Sequence, residues 1–258
     1  MRTLHTPSIL FPAHPIMETW KTLQEGHEAV VRWGKYIECN PRLPRQTNLH
    51  HIVSVERFFH YFLGHLKTHF ETDKQLVMDA ILVHEDGEAI EKRDVLLHDK
   101  TFSGHKDEYL AFNKMLVGSP SYRKRMQRAF LLQFVLEKDF LIDGDDDANK
   151  VLESLRKRNQ HEATIFNLLE RFDYYLYAVR AYDEVGDVVI LVHVLRNNWC
   201  FLDSYSRVIP GISNIWTDEL HKAALEFMEK YKDIPGPKDE GGIPAAYAYA
   251  VKKAYMTI

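Results

Sequence analysis

Cysteine is scarce in this chain, long apolar runs are missing, and neither sign of charge dominates. Cys39 and Cys200 are the two cysteines. That number is too small for the disulfide framework of a secreted domain, so a reduced, cytoplasmic compartment is expected, with one Cys39–Cys200 bridge as the open alternative. No stretch reaches the ~18 consecutive apolar residues of a membrane span. The opening Met1-Arg2-Thr3-Leu4-His5-Thr6-Pro7 lacks the apolar centre of a signal peptide. A soluble protein without a membrane partner is therefore expected. Lys plus Arg number 33 against 37 Asp plus Glu, which gives a net charge of −4. Such a balance argues against the broad basic surface that grips duplex nucleic acid, and any phosphate bound should belong to a small molecule.

What the chain has is oil in helical register. Its 258 residues are 45% hydrophobic, enough for one large helical domain. Ile52, Val55, Phe59, Phe62 and Leu66 recur at helical spacing and predict a helix over 50–66, with His51 on the face of Val55 and Phe59. Asp73 is placed to cap a helix whose stripe runs Val77, Ala80, Ile81, His84 and on to Glu88. Further helices are expected over 17–37, 106–116, 122–140 and 150–182, the last with Ile165, Leu169, Asp173 and Tyr177 on one row. The run 188–195 fits a strand or a buried helix, and its neighbours favour helix. Helices over 217–232 and at the Ala/Tyr-rich end of the chain complete an all-α fold.

Fourteen histidines raise the chance of metal ligation. Three helical stripes carry ligand-type residues where hydrocarbon would be expected: His51, the pair His84-Glu85, and Asp173. Two imidazoles and two carboxylates suit one divalent ion (Mn, Co, Ni, Zn, Fe or Mg) and leave coordination positions open for water and substrate. Buried carboxylates at Glu85 and Asp173 are costly alone, and coordination is one of the few arrangements that offsets the cost. His84 and Glu88 lie four residues apart on one helical face, with Glu85 about 100° round the axis. Glu88 is thus placed to protonate a leaving oxygen or orient an attacking water. Arg45, six residues before His51, is a candidate phosphate contact through paired hydrogen bonds, and equally a solvent-facing residue beside Pro44.

These residues stand in an order that resembles the HD-domain metal-dependent phosphohydrolases, whose ligands run His, adjacent His-Asp, distant Asp. Arg-Gln-Thr-Asn-Leu-His-His-Ile-Val-Ser-Val resembles the family's first-ligand helix, His-Glu-Asp-Gly-Glu-Ala-Ile its His-Asp-x-Gly-Glu-Ala segment, and Glu-Arg-Phe-Asp-Tyr-Tyr-Leu its closing segment. The likeness spans roughly residues 42–184, leaving the first forty residues and a C-terminal helical extension over 186–258 outside it. Within the superfamily the Gly-Glu continuation looks most like the deoxynucleoside 5′-monophosphatases and small dNTP phosphohydrolases. The resemblance implies an HD-like helical bundle, a nucleotide substrate cleaved by metal-activated water, Glu88 as the catalytic acid and Arg45 on phosphate. A homodimer is the default oligomer. The departure is Glu85, where the family has Asp. Asp86 is the nearest substitute ligand should Glu85 fail.

His98-Asp99 is a rival His-Asp pair, but no Gly-Glu follows it. The acidic turn 143–147 fails as a calcium loop, because Ala148 and Ser154 stand where Gly and a bidentate Glu are needed, and a solvated loop or a helix cap is expected instead. His14, His27, His60, His65, His69 and His221 read as surface or packing residues, Lys92, Arg93 and Asp94 as solvated charge, and Tyr174, Tyr175, Tyr177 and Tyr182 as core packing. Two rival functions remain: a binding or regulatory protein that lost its chemistry with the change to Glu85, and a two-iron oxidase needing further His ligands.

Overall fold

A computed structural model describes residues 15–65, 72–92, 101–137, 139–209 and 211–235. The protein is all-α. Its helices are α1 (Pro15–Ala29), α2 (Gly34–Cys39), α3 (Asn48–His65), α4 (Lys74–Val83), α5 (Asp86–Glu91), α6 (Phe102–Met115), α7 (Pro120–Leu131), α8 (Asp146–Arg158), α9 (Gln160–Val185), α10 (Val188–Val208) and α11 (Asp218–Lys230), with 3₁₀ turns at Leu132–Phe134 and Ile212–Asn214. Among the described residues the extended backbone amounts to one isolated antiparallel bridge between Val31 and Thr47.

Local chemistry sets the helix starts. Asp73 accepts from the Leu76 amide at the head of α4, and Thr101, Ser119, Asp145, Asp187 and Thr217 cap α6, α7, α8, α10 and α11 in the same way. The acidic turn therefore does cap a helix, through Asp145. Residues 188–195 are helical, as the first third of α10.

Three expected helices are divided. The stretch 17–37 breaks after Ala29, because the Arg32 amide and the Val30 carbonyl pair with Gln46 and Asn48 instead of continuing the helix. Trp33 then turns through the left-handed region at φ 66° to start α2. The stretch 122–140 ends as α helix at Leu131 and tightens to 3₁₀. The stretch 150–182 breaks at Asn159, whose side chain is claimed by Arg128 and Glu162.

The stripe from Val77 to Glu88 is also not one helix. α4 stops at Val83 and α5 starts at Asp86, so His84 and Glu85 form the joint. α5 lies between α1 and α6. It fits because two glycines let backbones meet: a Cβ on Gly26 would stand 2.3 Å from the Ala89 carbonyl oxygen, and one on Gly87 2.7 Å from that of Glu108. The continuous apolar core runs from Trp33 to Ala224. α9 is its central element, packing along α10 and against α3 and α4. Both cysteines are free. No helix among the described residues is long and apolar enough to cross a membrane. His98-Asp99, Arg93, Asp94, His14, His69 and the Ala/Tyr-rich end lie outside the described residues, as does the side chain of His65.

Candidate metal centre

α3, the α4–α5 joint and α9 bring four ligand-type side chains to one buried point: His51, His84, Glu85 and Glu170. Their donor atoms all lie within 4.8 Å of one another. His51 Nε2 is 3.2 Å from His84 Nε2 and 3.0 Å from Glu170 Oε1. His84 Nε2 is 3.1 Å from Glu170 Oε1, and each imidazole Nε2 is 3.4 Å from Glu85 Oε1. A tetrahedron of ligands about 2.1 Å from a central ion has edges of about 3.4 Å, so these separations suit a small divalent ion.

The hydrogen bonds on the far side of each ring strengthen the fit. His51 Nδ1 donates to Asp173 Oδ2 at 2.6 Å, and His84 Nδ1 donates to the Ile81 carbonyl at 2.9 Å. With both Nδ1 atoms so engaged, the two Nε2 atoms face each other across 3.2 Å, and each can either carry a proton for Glu170 or offer a lone pair to a cation.

Asp173 is therefore placed differently from the expectation. It stands behind His51 as hydrogen-bond acceptor, and Glu170, one turn earlier on α9, supplies the carboxylate that reaches the cluster. Three residues along a helix put the two carboxylates on the same face at different heights, so only their reach into the core separates them. Glu170 Oε2 is also held by the Tyr174 hydroxyl at 2.9 Å.

Glu85 reaches the cluster although it is one methylene longer than the Asp it was compared with. A buried guanidinium meets it: Arg32 Nη1 donates to Glu85 Oε1, with the cation 5.6 Å from the centre of the Tyr174 ring. Arg45 does not join them; it is exposed on the turn before α3. Arg45's exposure agrees with the solvent-facing alternative, and the buried cation beside the cluster is Arg32. Asp86 is not a substitute ligand either, since His27 Nε2 lies 2.9 Å from its Oδ1 on the α1 side of α5. His27 and His221, read as surface or packing residues, each have a carboxylate beside them: His27 Nε2 lies 2.9 Å from Asp86 Oδ1 and His221 Nδ1 3.0 Å from Asp203 Oδ1. Lys92 is exposed at the end of α5.

Glu88 is buried on α5, and its Oε2 is 3.4 Å from Asn48 Nδ2, which lies equally far from Glu85 Oε2. Asn48 thus spans the cluster member Glu85 and the expected acid Glu88. The tyrosines pack as expected: Tyr177 stacks on Trp33 with centroids 4.7 Å apart, Tyr174 lies over His51, Tyr175 meets Trp216 and Tyr182 meets Phe227.

The charges are strongly coupled. Burial and the Arg32 guanidinium pull the His51 imidazole down, but Glu170 and Asp173 outweigh them and carry it up to about 9. Burial likewise lowers His84, and Glu170 with Glu85 raises it to about 10. Burial pushes Glu85 and Glu170 upward, but cationic neighbours hold both well below the ordinary carboxylate range: Arg32 and the imidazoles for Glu85, the imidazoles for Glu170. Without a metal the cluster binds protons; a cation entering it must displace them.

No protein-family model, curated protein or solved structure matches this chain.

Proposed function

We propose that this protein is a metal-dependent phosphohydrolase acting on a small nucleotide, with the ion held by His51, His84, Glu85 and Glu170. The observation that carries the proposal is the set of Nε2 and Oε1 separations of 3.0 to 3.4 Å about one buried point. Support also comes from the resemblance of the His51, His84-Glu85 and Asp173 segments to HD-domain phosphohydrolases, and of the Gly-Glu continuation to the deoxynucleoside 5′-monophosphatase and small dNTP phosphohydrolase branch, whose substrates are nucleotides. A bound divalent ion supplies Lewis acidity that polarises a phosphoryl oxygen and acidifies water.

The chain's own groups do the rest. Glu88, steadied by Asn48, holds a proton at its carboxylate for the departing oxygen, or takes one from the attacking water. Arg32 brings positive charge to the edge of the cluster, where it offsets the negative charge of a phosphate. Phe166 packs edge-on against His84 at 5.2 Å and Tyr174 covers His51, so the imidazoles are walled from water on their outer faces.

A second reading has its own observation. Arg32 already pairs with Glu85, so three buried carboxylates, one guanidinium and two protonatable imidazoles can balance without a metal. That closed network suits a non-catalytic binding or regulatory protein. Metal analysis together with phosphate release from mono-, di- and triphosphate nucleosides separates the two. One bound ion with release of phosphate, pyrophosphate or triphosphate supports the hydrolase; a metal-free, inert protein supports the network.

A further inference from the structure

Behind the cluster runs a row of buried side chains that a direct role at an ion does not account for. Trp33 Nε1 donates to Gln46 Oε1 at 2.8 Å, Gln46 Nε2 donates to Asp173 Oδ2 at 3.0 Å, and the same Oδ2 accepts from His51 Nδ1 at 2.6 Å. The indole nitrogen only donates, so it fixes which way round the Gln46 amide sits and obliges its NH₂ to face Asp173. Asp173 Oδ2 therefore receives two donors at once, one from the Gln46 amide and one from the ring it orients.

We propose that Gln46 is a positioning residue: through Asp173 it sets the ring of His51 so that Nε2 faces the ligand cluster, and Trp33 in turn sets Gln46. The effect on metal affinity rests on the metal-site reading above; the effect on the His51 ring does not. The backbone and side chain of Gln46 have separable tasks. Its carbonyl accepts from the Arg32 amide at 2.8 Å, which ties residues 30–33 to the start of α3. Its side chain alone reaches Asp173. A side-chain substitution can therefore remove the orienting bond while leaving the backbone tie in place.

The test uses the full chain as wild type, Gln46→Leu, Trp33→Phe and the double variant. Leu keeps most of the volume, and Phe retains a ring to stack on Tyr177. Two quantities are measured: Co²⁺ affinity by titration with its visible absorption, and the His51 Nδ1–H proton by NMR in metal-free protein. Gln46→Leu is expected to weaken cobalt binding at least ~10-fold, the scale for losing a partner behind a metal-ligating His. Trp33→Phe should weaken it less. The double variant should be no worse than Gln46→Leu, because both changes cut one row. In the metal-free variants the His51 proton should shift and exchange faster with water.

Cobalt affinity and a His51 proton unchanged from wild type in Gln46→Leu overturn the inference, and so do fully additive effects in the double variant. If Gln46→Leu does not fold, Trp33→Phe decides on the same two measurements. If wild type takes up no cobalt, the metal reading falls and the metal-free His51 proton decides the inference alone.

Discussion

Arg32 and Glu85 form a buried ion pair at the edge of the candidate metal centre, with the guanidinium on the same Oε1 that faces both imidazoles. Removing one member of a buried pair leaves the other charge uncompensated, a cost of about 3–5 kcal/mol. Arg32→Met should therefore lower the stability of metal-free protein by an amount of that order, read from urea melts in chelator. A divalent ion replaces the missing positive charge, so added Co²⁺ should raise the melting temperature more in the variant than in wild type. Equal shifts would show that Glu85 does not meet the ion.

Glu170 and Asp173 should separate by severity. Glu170→Gln removes a charged ligand oxygen, whereas Asp173→Asn removes a partner behind His51, which typically costs 10–100-fold in affinity. Calorimetric titration with Co²⁺ should show Glu170→Gln the weaker binder. The reverse order would place Asp173 at the ion and Glu170 behind.

Much of this site was legible in the chain, and its failures have physical causes. His51 and His84 were visible because each lies in line with apolar residues at helical spacing, and Glu85 because it adjoins His84. Glu170 was hidden by its neighbour: Asp173 continues the row of Ile165 and Leu169, while Glu170 reaches the same point from the turn below through a longer side chain. Arg32 and Gln46 could not be found from periodicity at all. They are joined by the pairing of residues 30–33 with 46–48, a contact between segments that helical spacing does not report. The fold shows the same division. The cap at Asp73 and the capping role of the acidic turn at Asp145 are local and were readable. The break after Ala29 is imposed by partners distant in the chain, and the break at Asn159 carries a side-chain bond from Arg128 that helical spacing does not report.

Glu88 carries the acid–base prediction. Glu88→Ala should cut turnover at least ~100-fold while metal stays bound, since general acid–base help is worth about 10²–10⁴. Steady-state phosphate release beside metal content checks it; near-normal turnover would remove Glu88 from the chemistry.

The alkaline loss of stability in metal-free protein should flatten once metal is bound. In metal-free protein His51 and His84 are raised above the ordinary imidazole value of 6.5 to about 9 and about 10. Their stabilising contribution is fully present below 6.5 and is lost as pH climbs through 9 and 10. Glu85 and Glu170 are depressed, so their contribution is present above the ordinary carboxylate value and fades as pH falls below it. Metal-free protein should thus weaken toward alkaline pH. Metal binding releases the imidazole protons, so metal affinity should rise over that same alkaline climb. Urea melts at pH 6 to 10, with chelator and with Co²⁺, test both directions.

The two glycines that admit α5 make a mechanical prediction. Gly87→Ala sets a Cβ 2.7 Å from the Glu108 carbonyl oxygen and 2.9 Å from its Cα, backbone atoms that cannot swing aside. Overpacking of this kind costs about 1–3 kcal/mol, and the forced shift moves Glu88 and Glu85 with it. Gly87→Ala should lose stability and metal affinity together, whereas Gly34→Ala, where a Cβ meets nothing within 4 Å, should change neither by comparison.

Metal stoichiometry tests the central claim most directly. Purified protein is stripped with chelator, reloaded with Co²⁺ or Mn²⁺, freed of excess ion, and measured by plasma mass spectrometry beside His84→Ala. A site built from His51, His84, Glu85 and Glu170 predicts one ion per chain in wild type and close to none in the variant. Wild-type protein that retains no ion, or a variant that retains as much, would contradict it.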